Sequence, residues 1–143
     1  MPDAAPPPEL AAIAMATERR PAIRTIAMPS DTNPSGDVFG GWLMSQMDLA
    51  AGNLAARIAR GRCATVAVDG MTFHKAVRVG DEVTVYADLE AIGRTSIKMT
   101  VAAYRRARTD EHRDLVTQAR FAFVALDDDG RPRPVRPEPG PEG

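Results

Sequence analysis

The stretch from Phe39 to Arg60, FGGWLMSQMDLAAGNLAARIAR, restricts the folding of this chain more than any other segment. Leu43, Met47, Ala50, Leu54 and Ile58 recur at spacings of four, three, four and four, an apolar stripe with α-helical period. The other faces are small or apolar too: Met44, Leu49, Ala51, Gly52, Ala55, Ala56 and Ala59. A helix that is apolar nearly all round belongs in an interior. Asp48 interrupts it, and Met44, Ser45, Ala51 and Gly52, three and four positions away, supply no cation. An unpaired carboxylate in apolar surroundings is costly, which makes Asp48 the first candidate for chemistry. From the helix pattern alone, an Asp bonded to backbone or to an interface arginine is an equally good reading.

With 143 residues the chain is long enough for one core. Eighteen basic and nineteen acidic residues, a net charge of −1, give no basic field for nucleic acid. The single cysteine, Cys63, excludes an intrachain disulfide framework and a cysteine-rich zinc site. Only His74 and His112 offer imidazoles, and no motif brackets them, so no metal and no cofactor is expected. The apolar run Leu10 to Ala16 follows Asp3, prolines and Glu9 rather than basic residues, which makes a poor signal peptide. No segment approaches membrane-spanning length, and the expected compartment is the cytoplasm.

All twelve prolines lie at or before Pro34 or at or after Pro132, leaving the interval free for continuous elements. Residues 1–18 read as a flexible Pro/Ala-rich segment, 19–127 as the folded domain, and 128–143 as a disordered Pro/Gly-rich tail. Within the domain, Ala22 to Met28 is a strand candidate and PSDTNPSG (Pro29 to Gly36) a loop dense in turn formers. After the helix, Ala64 to Phe73 alternates, as do Val83 to Glu90, Ser96 to Ala103 and Leu115 to Ala125. Gly80-Asp81 and Gly93-Arg94 mark turns. The pattern predicts an α+β fold, one long buried helix wrapped by an antiparallel sheet of about five strands joined by short turns. One sheet cannot cover a helix that is apolar on every side. A second copy of the chain is the simplest cover, and a dimer at minimum is expected.

Three segments carry a specific resemblance: RTIAMPSDTNPSGDVFGGWLMSQMD (Arg24 to Asp48), TVAVDGMTFHKAVRVGD (Thr65 to Asp81) and GRTSIK (Gly93 to Lys98). They resemble the YciA-type acyl-CoA thioesterases, enzymes of the hot-dog fold, over about Arg24 to Arg133. The resemblance implies hydrolysis of acyl-CoA to a fatty or other carboxylic acid and coenzyme A. It implies Asp48 as the catalytic carboxylate and Asn33 as a residue reaching the same site from the partner subunit. It also implies a homo-oligomer, a dimer or a hexamer built as a trimer of dimers, with acyl-CoA between subunits. GRTSIK would lie near the pantetheine and phosphates. The chain departs from the family pattern at Ser35, where asparagine is frequent, and at HKAV (His74 to Val77), which replaces a segment ending Lys-Pro.

Thioester hydrolysis needs an activated water or nucleophile, donors for the developing oxyanion and a slot for the pantetheine arm. Asp48 supplies the first, as general base on water or as a nucleophile forming a mixed anhydride. Gly40 and Gly41 open the helix, and their free N–H groups suit the thioester oxygen. Asn33 would orient water or substrate through its amide. Asp37 reads as a helix N-cap or first-turn acid. Arg94, Thr95, Ser96, Lys75 and His74 are the candidates for contact with CoA. Two alternatives stand beside hydrolysis. A hot-dog enoyl-thioester hydratase or dehydratase would call for a histidine near the helix. A non-catalytic acyl-CoA-binding hot-dog protein would call for an effector domain.

Overall fold

The computed structural model describes residues 20–136; the sequence readings for 1–18 and 137–143 lie outside the described residues. The elements run β1 (Ile23–Ile26), a 3-10 turn (Pro29–Asp31), α1 (Gly40–Ala59), β2 (Cys63–Asp69), β3 (Glu82–Ile92), β4 (Ser96–Arg106) and β5 (Arg113–Ala125). All five strands form one antiparallel sheet in the order β1-β3-β4-β5-β2, curled around α1.

The core lies between the inner face of the sheet and one face of α1. Leu43, Met47, Ala50, Ala51, Ala55 and Ala59 are buried there, with Leu54 and Ile58 half-buried against the same cluster. The alanines let the helix lie low on Phe121 and Phe123, whose rings stack at 6.4 Å. Burial of apolar surface at these positions is what holds helix to sheet. The opposite face of α1 is open in the protomer. Gly40, Gly41, Met44, Ser45, Asp48 and Leu49 are exposed, Leu49 by 62%. The sheet alone therefore does not enclose the helix, and Asp48 is not buried within one chain.

Strand connection departs from the expected succession of short turns. β2 pairs with β5 at the far edge, not with β3, and Asp69 ends it, with Gly70 following at φ +73°. Residues 70–81 then cross as an extended segment. It is held by the N–H of His74 on the carbonyl of Val116 (2.7 Å) and that of Val38 on the carbonyl of Val77 (3.0 Å). Irregularities at Thr65/Ala67, Leu89/Ala91 and Ala103/Tyr104 shift the register. Each reverses which side of the strand faces inward, so Val116 is buried and Leu115 only half-buried.

The domain also extends past residue 127. Leu126 bridges to Pro132, Val135 is buried in the main core, and its N–H donates to the carbonyl of Arg94 at 2.8 Å. Residues 128–136, expected as tail, are thus part of the fold. Proline- and glycine-rich composition signalled a turn and a bridge here, not an absence of core.

Candidate active site

α1 begins and ends differently, and both ends bear on the site. Its N-cap is Phe39, with no side-chain cap and no acid in the first turn, so Asp37 is not the cap. The N–H of Trp42 donates to the carbonyl of Phe39, which leaves the amides of Gly40 and Gly41 among those without an intrahelical acceptor. A Cβ on Gly41 would meet nothing within 4 Å, so the side of the helix at that residue is open in the protomer. A Cβ on Gly40 would sit 3.5 Å from the Phe73 ring. A cavity of about 380 Å³ adjoins this end, lined by Phe39, Gly40, Leu43, Phe73 and Val116, with His74 and Lys75 beside them.

Asp48 projects from the exposed face eight residues on. Its partner comes from the sheet: the Thr65 hydroxyl, on β2, donates to Asp48 Oδ1 at 2.5 Å. This bond fixes one carboxylate oxygen and leaves Oδ2 as the second acceptor. Sequence reasoning missed Thr65, because the search for a partner stayed within one helical turn. The available signal was a hydroxyl residue at the start of an otherwise apolar strand.

Asn33 is half-buried in the loop before α1. Its Oδ1 accepts the N–H groups of Ser35 (2.9 Å) and Asp37 (3.1 Å), an Asx turn that holds the loop. With the carbonyl end committed, the Nδ2 amide is the end turned to other partners, and it is a donor. The Arg94-Thr95-Ser96 turn joins β3 to β4. The Thr95 carbonyl accepts the N–H of Ala125, and a Cβ on Gly93 would lie 2.6 Å from Ser96 Oγ, so any larger residue there would have to turn the Ser96 hydroxyl away. Through Val135 and Ala125 the turn neighbours the C-terminal end of α1, where Arg133 Nη2 donates to the carbonyl of Ala59 at 2.7 Å. One protomer therefore separates the CoA candidates: His74 and Lys75 lie at the helix start, Arg94 to Ser96 near its end.

Residues 35–111 match the sequence profile of the Thioesterase superfamily. The acyl-CoA thioester hydrolase YciA of Salmonella typhimurium is 49% identical over 116 residues, 79% of this chain and 87% of the relative. This chain belongs to the thioesterase superfamily. Within it the chain groups with the YciA-type hydrolases, as the three sequence segments implied. Its fold is similar to that of HI0827, a hexameric broad-specificity acyl-coenzyme A thioesterase (TM-score 0.79, 46% identity, 86% of this chain and 91% of that one). It is equally similar to the hexameric thioesterase y2039 from Yersinia pestis (TM-score 0.79, 45% identity, 85% and 99%). A more distant likeness is an acyl-CoA hydrolase variant from Staphylococcus aureus in complex with coenzyme A (TM-score 0.74, 28% identity, 78% and 67%). Among the described residues no helix is long and apolar enough to cross a membrane, and no cluster of three or more metal-ligating side chains occurs.

Proposed function

We propose that this superfamily member hydrolyses acyl-CoA thioesters at a site completed by two protomers, with Asp48 activating water. The observation that carries the reading is a distance along one helix. Gly40 and Asp48 are eight residues apart, about 12 Å of helix axis at about 1.5 Å per residue. A water on its base and an oxyanion on its donors each sit about 3 Å from their partners, so one carbonyl cannot serve both ends of the same helix. Two α1 helices packed antiparallel through their exposed Met44 faces bring Asp48 of one opposite Gly40 and Gly41 of the other. The same packing covers Met44 and Leu49, which one chain leaves exposed.

In this arrangement Asp48, steadied by Thr65, takes a proton from water as the oxygen attacks the thioester carbon. The amides of Gly40 and Gly41 of the second protomer, with the Nδ2 donor of its Asn33, hold the developing oxyanion. The C–S bond then breaks, the proton passes from Asp48 to the departing CoA sulfur, and carboxylic acid and CoA leave. Attack by Asp48 itself, through a mixed anhydride, uses the same parts. Two comparisons support the residue roles. Variants of the Staphylococcus aureus hydrolase replace by alanine an asparagine and an aspartate fifteen positions apart. Fifteen positions also separate Asn33 from Asp48. The hexameric state of HI0827 and y2039 supports a trimer of dimers here. The reaction needs no group beyond these side chains and amides.

The test is release of CoA from a panel of acyl-CoAs, followed with a thiol-trapping reagent. Turnover on members of the panel is expected. No release from any chain length would overturn the assignment.

A further inference from the structure

The donors assigned above to the oxyanion come from one short stretch of a protomer: Asn33 in the loop, Gly40 and Gly41 at the start of α1. Seven positions separate Asn33 from Gly40, and Pro34 and Gly36, the latter at φ +88°, lie between them. A free loop of that length would hold its two ends in many relative positions. Groups that stabilise a transition state have to be fixed before the substrate arrives.

The loop is folded back on itself as a clasp. The Asn33 N–H donates to the Asp37 carbonyl at 2.7 Å, Thr32 bridges to Val38, and the Phe39 N–H donates to the Asp31 carbonyl at 2.9 Å. The Asn33 side chain fills the tip, accepting the N–H groups of Ser35 and Asp37. At the open end Asp31 stands two residues before Asn33 and is bonded to Phe39, the residue before Gly40. The Phe39 carbonyl accepts the N–H groups of Trp42 (3.1 Å) and Leu43 (3.3 Å), the first bonds of the helix. Asp31 is held in turn by Met28. Its Oδ2 accepts the Met28 N–H at 2.9 Å, and its own N–H donates to the Met28 carbonyl at 2.9 Å. Met28 follows Ala27, which is fully buried, donates to the Asp81 carbonyl and accepts the Gly80 N–H. One residue thus ties together the Asn33 arm, the helix start and the anchored end of β1.

We propose that Asp31 is a positioning residue for thioester hydrolysis. Its carboxylate closes the turn whose carbonyl holds the start of α1 and, through the clasp, the Asn33 amide. This rests on the acyl-CoA reading above, in which Asn33, Gly40 and Gly41 act together. The carboxylate is committed to Met28, so its influence on the reaction runs through Phe39 and the clasp. Asp31 also lies outside the apolar core cluster, so removing its side chain should disturb the clasp far more than the fold.

Asp31→Ala deletes the acceptor for Met28, and Asp31→Asn keeps an acceptor oxygen in the same place. The alanine variant should lose on the order of tenfold in kcat, with KM for acyl-CoA little changed, and asparagine should recover most of the loss. Co-expression then reads which half of the site Asp31 serves. Each site takes Asp48 from one chain and the clasp from the other, so mixed dimers of Asp31→Ala with Asp48→Asn chains hold one intact site. About a quarter of wild-type activity should return. Asp31→Ala and Asn33→Ala damage the same half, so that pairing should give no more than the mean of its two parents. Thr32→Val deletes the neighbouring hydroxyl bond to the Pro29 carbonyl (2.8 Å) at nearly constant volume, and carries the same expectations should Asp31→Ala fail to fold. Unchanged kcat in Asp31→Ala, or equal rescue by both partner chains, would overturn the proposal. Rescue by neither, when Asp48→Asn and Asn33→Ala chains do rescue one another, would overturn it and leave the hydrolase site standing. Failure of that reference pair, with a kcat loss that Asp31→Asn recovers, would sink the two-chain site and leave the role of Asp31.

Discussion

At its C-terminal end α1 meets Arg60 in the left-handed conformation, Gly61, whose N–H donates to Ala56, and the three-carbonyl grip of Arg133. At its N-terminal end no side chain caps the helix, two glycines leave amides open, and a cavity stands beside them. The first end is finished as stable proteins finish helices, by supplying partners for orphan groups. The second is left unfinished, and unpaired donors at a helix start are what a developing oxyanion requires. The contrast separates the helix end whose orphan groups are satisfied by the fold from the end proposed to hold the thioester oxygen.

Four variants sharpen or break that contrast. Asp48→Asn belongs to the acting region: kcat should fall by on the order of a thousandfold, with the denaturation midpoint unmoved. A midpoint that drops with activity would make Asp48 structural. Arg133→Ala belongs to the holding region and should cost about 2–3 kcal/mol, since it strips three carbonyls of their donors. Urea unfolding measures that loss. Thr65→Val removes the hydroxyl that steadies Asp48 at nearly constant volume, and kcat should fall about tenfold with stability little affected. Gly41→Ala gives the smallest and most diagnostic change. The added methyl meets nothing in the protomer and should stabilise the helix by about 0.5–1 kcal/mol, while crowding a ligand at the amide and lowering kcat. Higher stability with undiminished activity would remove the oxyanion role from this end.

Local pattern made much of this legible. The apolar period placed the helix at Phe39 to Arg60, within one residue of Gly40–Ala59 at each end. Turn chemistry located Gly80 and Gly93. The segments around Asn33, Asp48 and Thr95 led to the family before any fold was seen. What escaped was long-range. Alternation in Ala64 to Phe73 gives no indication that β2 pairs with β5, and the register shifts that re-aim Val66 and Val116 leave no local trace. Asp48 looked partnerless because its partner, Thr65, lies seventeen positions away across helix and sheet. Val135 and Arg133 sat in a stretch whose composition reads as tail, yet one fills the core and the other closes the helix. Asp48 reads as buried from the apolar faces around it, yet within the protomer it is exposed, because the sheet covers only one face of α1.

The central claim is that one protomer contributes Asp48 and its neighbour contributes Asn33, Gly40 and Gly41. Co-expression of Asp48→Asn chains with Asn33→Ala chains tests it most directly. A mixed dimer then holds one doubly damaged site and one intact site, so random pairing should restore about a quarter of wild-type activity from two chains that are each inactive alone. Mixed dimers no more active than either parent would contradict the account and return all of these groups to a single chain.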